Sequence, residues 1–164
     1  MKTVLYSNMK KKKIETPVGS DKGKIADFHL KEDEEDHWLV DEVMISVGTL
    51  KRDKKFVPIE EMELIEDEEK IKVTTPLEEA SNNPLEPYPL KLKEMKGCIV
   101  ETESGEEIGK VYDYEIATEL DSWMVWKLLV KPTDLSPLKR RTKVAVKDVI
   151  EVKEDKIVAK DEYK

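Results

Sequence analysis

Apolar residues along this chain fall in short, β-branched runs separated by charged turns, and the runs come twice in the same order. Gly19 and Gly23 stand four apart, as do Gly105 and Gly109, 86 positions later. The same pattern follows each second glycine: Gly23-Lys-Ile-Ala-Asp-Phe-His-Leu30 and Gly109-Lys-Val-Tyr-Asp-Tyr-Glu-Ile116. Asp27 thereby matches Asp113, and Phe28 matches Tyr114. A tryptophan-led run comes next, Trp38-Leu-Val-Asp-Glu-Val-Met-Ile45 against Trp123-Met-Val-Trp-Lys-Leu-Leu-Val130, at an offset of 85. Phe56-Val-Pro-Ile59 aligns with Lys143-Val-Ala-Val146 at 87, and Ile71 with Ile157 at 86. An offset that drifts only across polar loops is the signature of insertion in turns. The chain reads as two copies of one unit.

Each unit predicts a succession of short strands. Ile25, Phe28 and Leu30 place one strand, bent or bulged near Ala26-Asp27, and the glycine pair ahead of it suits a hairpin turn that needs positive φ. The tryptophan runs are apolar on both parities, as in a strand covered on both faces. Pro58 to Met62 and Val146 to Val149 are each expected to form a helical turn. Between the units, prolines 76, 84, 87 and 89 mark an extended, semi-rigid linker. Leu77, Leu85 and Tyr88 are the linker side chains able to pack across both units. The fold class read from this pattern is all-β. Its domains are an N-terminal extension over 1–8, a first repeat over 9–76, a linker over 77–90 and a second repeat over 91–164.

Composition modifies this picture in two ways. The 40% charged content raises the prospect of disorder, but the grouping of apolar residues into runs argues for a fold whose charges cover a modest core. The net charge of −8 is uneven: residues 1–86 carry 14 basic and 21 acidic side chains (−7), and residues 87–164 carry 15 and 16 (−1). An acidic chain lacks the basic surface that phosphate neutralisation requires, so nucleic acid is disfavoured as a partner. Cys98 is the only cysteine, so no internal disulfide forms and a reducing, cytoplasmic setting is expected. No window is long and apolar enough for a membrane span.

Catalytic chemistry finds little support. His29 and His37 could meet across a charged hairpin, but the second unit has Glu115 in place of His29, so a solvated loop is expected there and no metal. No nucleophile stands in a recognisable elbow, and Cys98 has no histidine in its own unit. Asp27 and Asp113 recur in a strand or bulge, where a structural hydrogen-bonding role is expected rather than acid–base work. We therefore read Gly19, Gly23, Asp27, Gly105, Gly109 and Asp113 as structural positions of the repeat, with no catalytic residue and no cofactor. The best contact candidates lie where the copies differ. If Trp123 is core like Trp38, Trp126 falls on the opposite strand face, where the first unit has Asp41. Met124 and Leu128 flank it. Leu138 lies in an insertion over Pro132–Arg141 that the first unit lacks, and Arg140 and Arg141 belong to a basic cluster with Lys143.

The order of segments resembles the PRC-barrel domain, named after the cytoplasmic domain of the photosynthetic reaction-centre H subunit. The features that carry the likeness are a glycine turn, a hydrophobic-Gly-Lys-hydrophobic-x-Asp strand, a Trp/Val-rich strand, a Val-Pro-Ile turn and a final strand such as Glu69-Lys-Ile-Lys-Val73. The second copy departs from it with Ala145 where the first has Pro58. The resemblance implies two tandem, small, strongly bent β-barrels of an archaeal stand-alone type, used as a non-catalytic protein–protein adaptor, with cell division as one setting. The other readings are an RNA-associated ribosome maturation factor and a small-ligand-binding module. A protein partner is expected, and the chain is either a homodimer or a pseudo-symmetric monomer.

Overall fold

The computed structural model describes residues 2–21, 23–48, 53–65, 69–118, 122–133 and 140–163. It is predominantly β. An arm opens the chain, with β1 (Thr3–Leu5) and a single helical turn α1 (Tyr6–Met9). The first unit follows with β2 (Lys13–Thr16), β3 (Gly19–Asp21), β4 (Lys24–Glu32), β5 (Trp38–Val47), β6 (Asp53–Pro58), β7 (Met62–Ile65) and β8 (Lys70–Val73). A second arm has β9 (Leu90–Lys91) and α2 (Leu92–Met95). The second unit has β10 (Ile99–Thr102), β11 (Glu107–Ala117), β12 (Met124–Lys131), β13 (Thr142–Ala145), β14 (Val149–Val152) and β15 (Lys156–Ala159). The expected helical turns are 3₁₀ turns at Ile59–Glu61 and Val146–Asp148.

The ladders recur with the sequence. Strand order runs β7-β8-β2-β3/β4-β5-β6 in the first unit and β14-β15-β10-β11-β12-β13 in the second. Ile14 pairs in parallel with Ile71, and Val100 with Ile157, both members shifted by 86. The register slips between Ile25 and Asp27 and again between Val111 and Asp113, which are the bulges expected near the recurring aspartate. β11 is continuous where the first unit has two strands, β3 and β4, so the second unit joins one curled eleven-stranded, half-barrel sheet. The strands β3-β2-β8-β7 form a separate four-stranded sheet. Among the described residues no ladder joins β6 to β7, or β13 to β14.

The two units meet edge to edge through β5 and β12, with Met124 opposite Leu39, Val125 opposite Trp38, and the Val40 N–H donating to the Trp123 carbonyl at 2.8 Å. Leu39 and Met124 are counterparts of each other, so a pseudo-twofold axis passes between them. The arms are exchanged about this axis. β1 pairs with β11 of the second unit (Val4 with Ile116, Leu5 with Glu115), and β9 pairs with β4 of the first (Leu90 with Leu30, Lys91 with His29). Residues 3–9 are thus docked on the second unit. Tyr6 and Met9 are buried, and so are their opposite numbers Leu92 and Met95. The ring of Tyr6 sits 5.2 Å from Phe28 and 5.7 Å from Tyr114, edge-on to both, at the centre of one continuous core.

The glycines divide by role. Gly105 takes φ +89 in a turn with open space around it. Gly109 is required by close approach, because a Cβ there would lie 2.1 Å from the Lys131 carbonyl oxygen. At Gly23 a Cβ would meet the side chains of Ile45 and Leu77 at 2.9 Å. It is small because Leu77, from the linker, packs on it. Of the three linker side chains, Leu77 and Tyr88 are buried and Leu85 is exposed.

Candidate functional site

The recurring aspartates clamp the exchanged arms. Leu5 and Lys91 precede the helical turns and supply no capping side chain. The orphan N–H groups are met from the opposite unit instead. Asp113 accepts from the Ser7 N–H at 3.1 Å and from the Ser7 hydroxyl, and Asp27 accepts from the Lys93 N–H at 2.9 Å. Each also accepts from the next backbone N–H, Tyr114 or Phe28, at 2.8 Å. Ser7 and Lys93 are themselves 86 apart, so the two clamps are one device used twice.

His29 overturns the solvated-loop expectation. It lies inside the ladder opposite Glu42, fully buried, with Nδ1 2.9 Å from Glu42 Oε1 and Nε2 3.5 Å from Asp27 Oδ2. Burial alone would push its pKa down, but hydrogen bonds to Asp27 and Glu42 and their charges prevail and raise it. His37 is separate, in the turn before β5, held at 2.9 Å by Asp33. Among the described residues no cluster of three or more potential ligands is arranged for a metal. Cys98 sits half-buried just ahead of β10 rather than in a strand.

The outer face of β5, where Glu42 and Met44 are buried, is covered by the linker. The segment touches the outer edge of β6 through one antiparallel bridge, Phe56 with Ser81, and then bends toward β5. The Phe56 N–H donates to the Ser81 carbonyl at 2.9 Å, the Leu85 N–H to Glu42 Oε2 at 2.8 Å, and the Tyr88 hydroxyl to Asp41 Oδ2 at 2.6 Å. Tyr88 and Phe56 place their rings 5.4 and 5.9 Å from His29. The both-parity apolar pattern of Trp38–Ile45 has its explanation here, since one face meets the core and the other meets this segment.

The corresponding surface of the second unit is a groove of about 450 Å³. Met124, Val125, Trp126 and Lys127 of β12 form one side. Lys143, Ala145, Val146, Lys147, Asp148 and Tyr163 form the other, with His37 at its mouth. Trp126 is the exposed member, at 37%, while Trp38 and Trp123 are in the core. The face inversion read from the spacing is therefore present. Leu128, in contrast, is fully buried in the core and not beside Trp126, because the strand shifts its inward-facing positions from Val125 to Leu128. Met124 is also buried, yet lines the groove. Arg140 is exposed, Arg141 lies 4.9 Å above the Tyr112 ring, and Leu138 falls outside the described residues. Across the groove, the Tyr163 hydroxyl donates to Asp148 and accepts from the Ala145 N–H at 3.1 Å. The first of these bonds, opposed by burial and aided by Lys160, holds the Asp148 carboxyl below its usual range. Lys143 is engaged by Glu115 at 2.6 Å.

Sequence reasoning missed the arms and their clamps, although Met9-Lys10 and Met95-Lys96 recur at the same offset of 86 and carried the signal. No helix among the described residues is long and apolar enough to cross a membrane. No family model and no curated protein matches the chain.

Proposed function

We propose that this chain is a non-catalytic adaptor, built from two PRC-barrel-like units, that holds a protein partner in the groove beside Trp126. One observation carries the reading. The two units share strand order and register, yet where the first has Asp41 bonded to the chain's own Tyr88, the described residues of the second form a groove with Trp126 at its rim. A solvent-facing tryptophan beside a concave apolar floor supplies the large, rigid contact area on which binding hot spots are built. The polar groups around it are lysines and a carboxylate already bonded to Tyr163, a set suited to orienting a partner. The test is a photo-crosslinking amino acid placed at position 126 and, in parallel, at position 41. A single protein adduct specific to position 126 is expected. An adduct pattern identical at both positions, or none at 126, rejects the groove as the contact surface.

A further inference from the structure

The first unit shows what its version of this surface holds: a proline-containing segment of chain, fixed to the edge of β6 by one antiparallel backbone bridge at Phe56 and to β5 by two carboxylates. The repeat puts Lys143, Trp126 and Lys127 at the positions of Phe56, Asp41 and Glu42. Lys143 pairs with Leu129 as Phe56 pairs with Met44, so its N–H points to the outer edge of β13, as the Phe56 N–H points to Ser81. The backbone is thus set to receive one carbonyl of a bound chain in the same way. The side chains are inverted in charge: Glu42 gives way to Lys127, and Glu60 to Lys147. Where the first unit accepts N–H and O–H groups on carboxylates, the second offers ammonium donors and an indole.

From this we infer that the groove takes an acidic segment of a partner protein, bridged to the outer edge of β13 at the Lys143 N–H, with a carboxylate at Lys127 and an apolar or proline side chain against Trp126. The inference rests on the adaptor reading and adds the partner's chemistry. Charge complementarity selects this occupant, since lysines line the groove of a chain whose net charge is −8.

The probe is a fluorescein-labelled peptide with the sequence of residues 77–88. It contains two prolines and carries Glu78, Glu79 and Glu86. Its fluorescence anisotropy is titrated with the full-length protein. A second peptide carries lysine at the three glutamate positions. Saturable binding of the acidic peptide is expected, weakening with salt and falling by about tenfold or more in Trp126→Asp and in Lys127→Glu. The lysine peptide should fail to bind. Near-ultraviolet circular dichroism establishes that both variants remain folded. Binding that survives both substitutions overturns the inference, because the peptide then sits elsewhere, including on the first unit in place of the chain's own segment. Equal binding of the lysine peptide overturns the acidic preference while the adduct at position 126 keeps the adaptor reading. A dimer in light scattering that Trp126→Asp converts to monomer makes a second copy the occupant and also overturns it.

Discussion

Replacing Asp113 by alanine withdraws the acceptor for three donors at once: the Ser7 N–H, the Ser7 hydroxyl and the Tyr114 N–H. The Ser7 hydroxyl can turn to water at little cost. The two N–H groups lie at the packed contact between arm and sheet. Hydrogen bonds to a charged acceptor contribute roughly 1.5–3 kcal/mol each, and loss of a helix cap costs about 1 kcal/mol. Allowing for their overlap, Asp113→Ala should destabilise the protein by about 2–4 kcal/mol, and Asp113→Asn by about half that, since one oxygen remains. Urea unfolding followed by circular dichroism measures the total. Hydrogen exchange read by mass spectrometry localises it: Asp113→Ala should release residues 3–9 and Asp27→Ala residues 90–95, each arm answering to the aspartate of the opposite unit. A destabilisation below about 0.5 kcal/mol, or loss of protection in the arm adjacent in sequence, would refute the clamp.

Other consequences concern the core, the glycines and His29. Leu128→Ala should cost about 2–5 kcal/mol as a buried large-to-small change, whereas Trp126→Asp, at the surface, should stay within about 0.5 kcal/mol; thermal and urea melts of the pair check the contrast. Gly109→Ala forces a Cβ against the Lys131 carbonyl oxygen and should destabilise by more than about 1 kcal/mol; equal stability to wild type in urea would show that the strands shift apart freely. The His29 pKa is raised in the folded state, so its contribution to stability is complete below the ordinary value of about 6.5 and is lost as pH rises through the folded value. Stability should therefore fall on moving from mildly acidic to alkaline pH, and His29→Gln should flatten that slope in urea titrations. Asp148, held low, acts in the opposite direction, its contribution disappearing only as pH falls through its folded value.

Much of the fold is legible in the sequence because the apolar runs and their tryptophans recur in order, and burial on one strand face fixes register. The bulge at Asp27 and Asp113 and the outward turn of Trp126 follow from strand periodicity. The exchange of arms does not. Val4-Leu5 has the same local preference for the edge of its own unit as for that of the other, and only the pseudo-twofold geometry decides between them. Leu128 turns inward for a related reason: a strict period of two fails where the strand shifts register between Val125 and Lys127. His29 carried no sign of burial, since its satisfaction depends on Glu42 across the hairpin and Tyr88 from the linker. The groove is visible only by comparison among the described residues, as a place where one copy has Asp41 bonded to Tyr88 and the other has Trp126.

The exchanged arm also sets a schedule for synthesis. Thr3–Leu5 has its ladder partners at Glu115–Ala117, more than a hundred residues downstream. At ribosomal speeds of about 5–20 residues per second, the first strand waits roughly 6–20 s for its counterpart to be made. During that interval Thr3–Leu5 and the Ser7 N–H lack their final partners, and Tyr6 has Phe28 but not Tyr114. The first unit therefore emerges with an open seam that only the second can close, and any factor that shelters nascent chains would meet this protein at its amino-terminal arm.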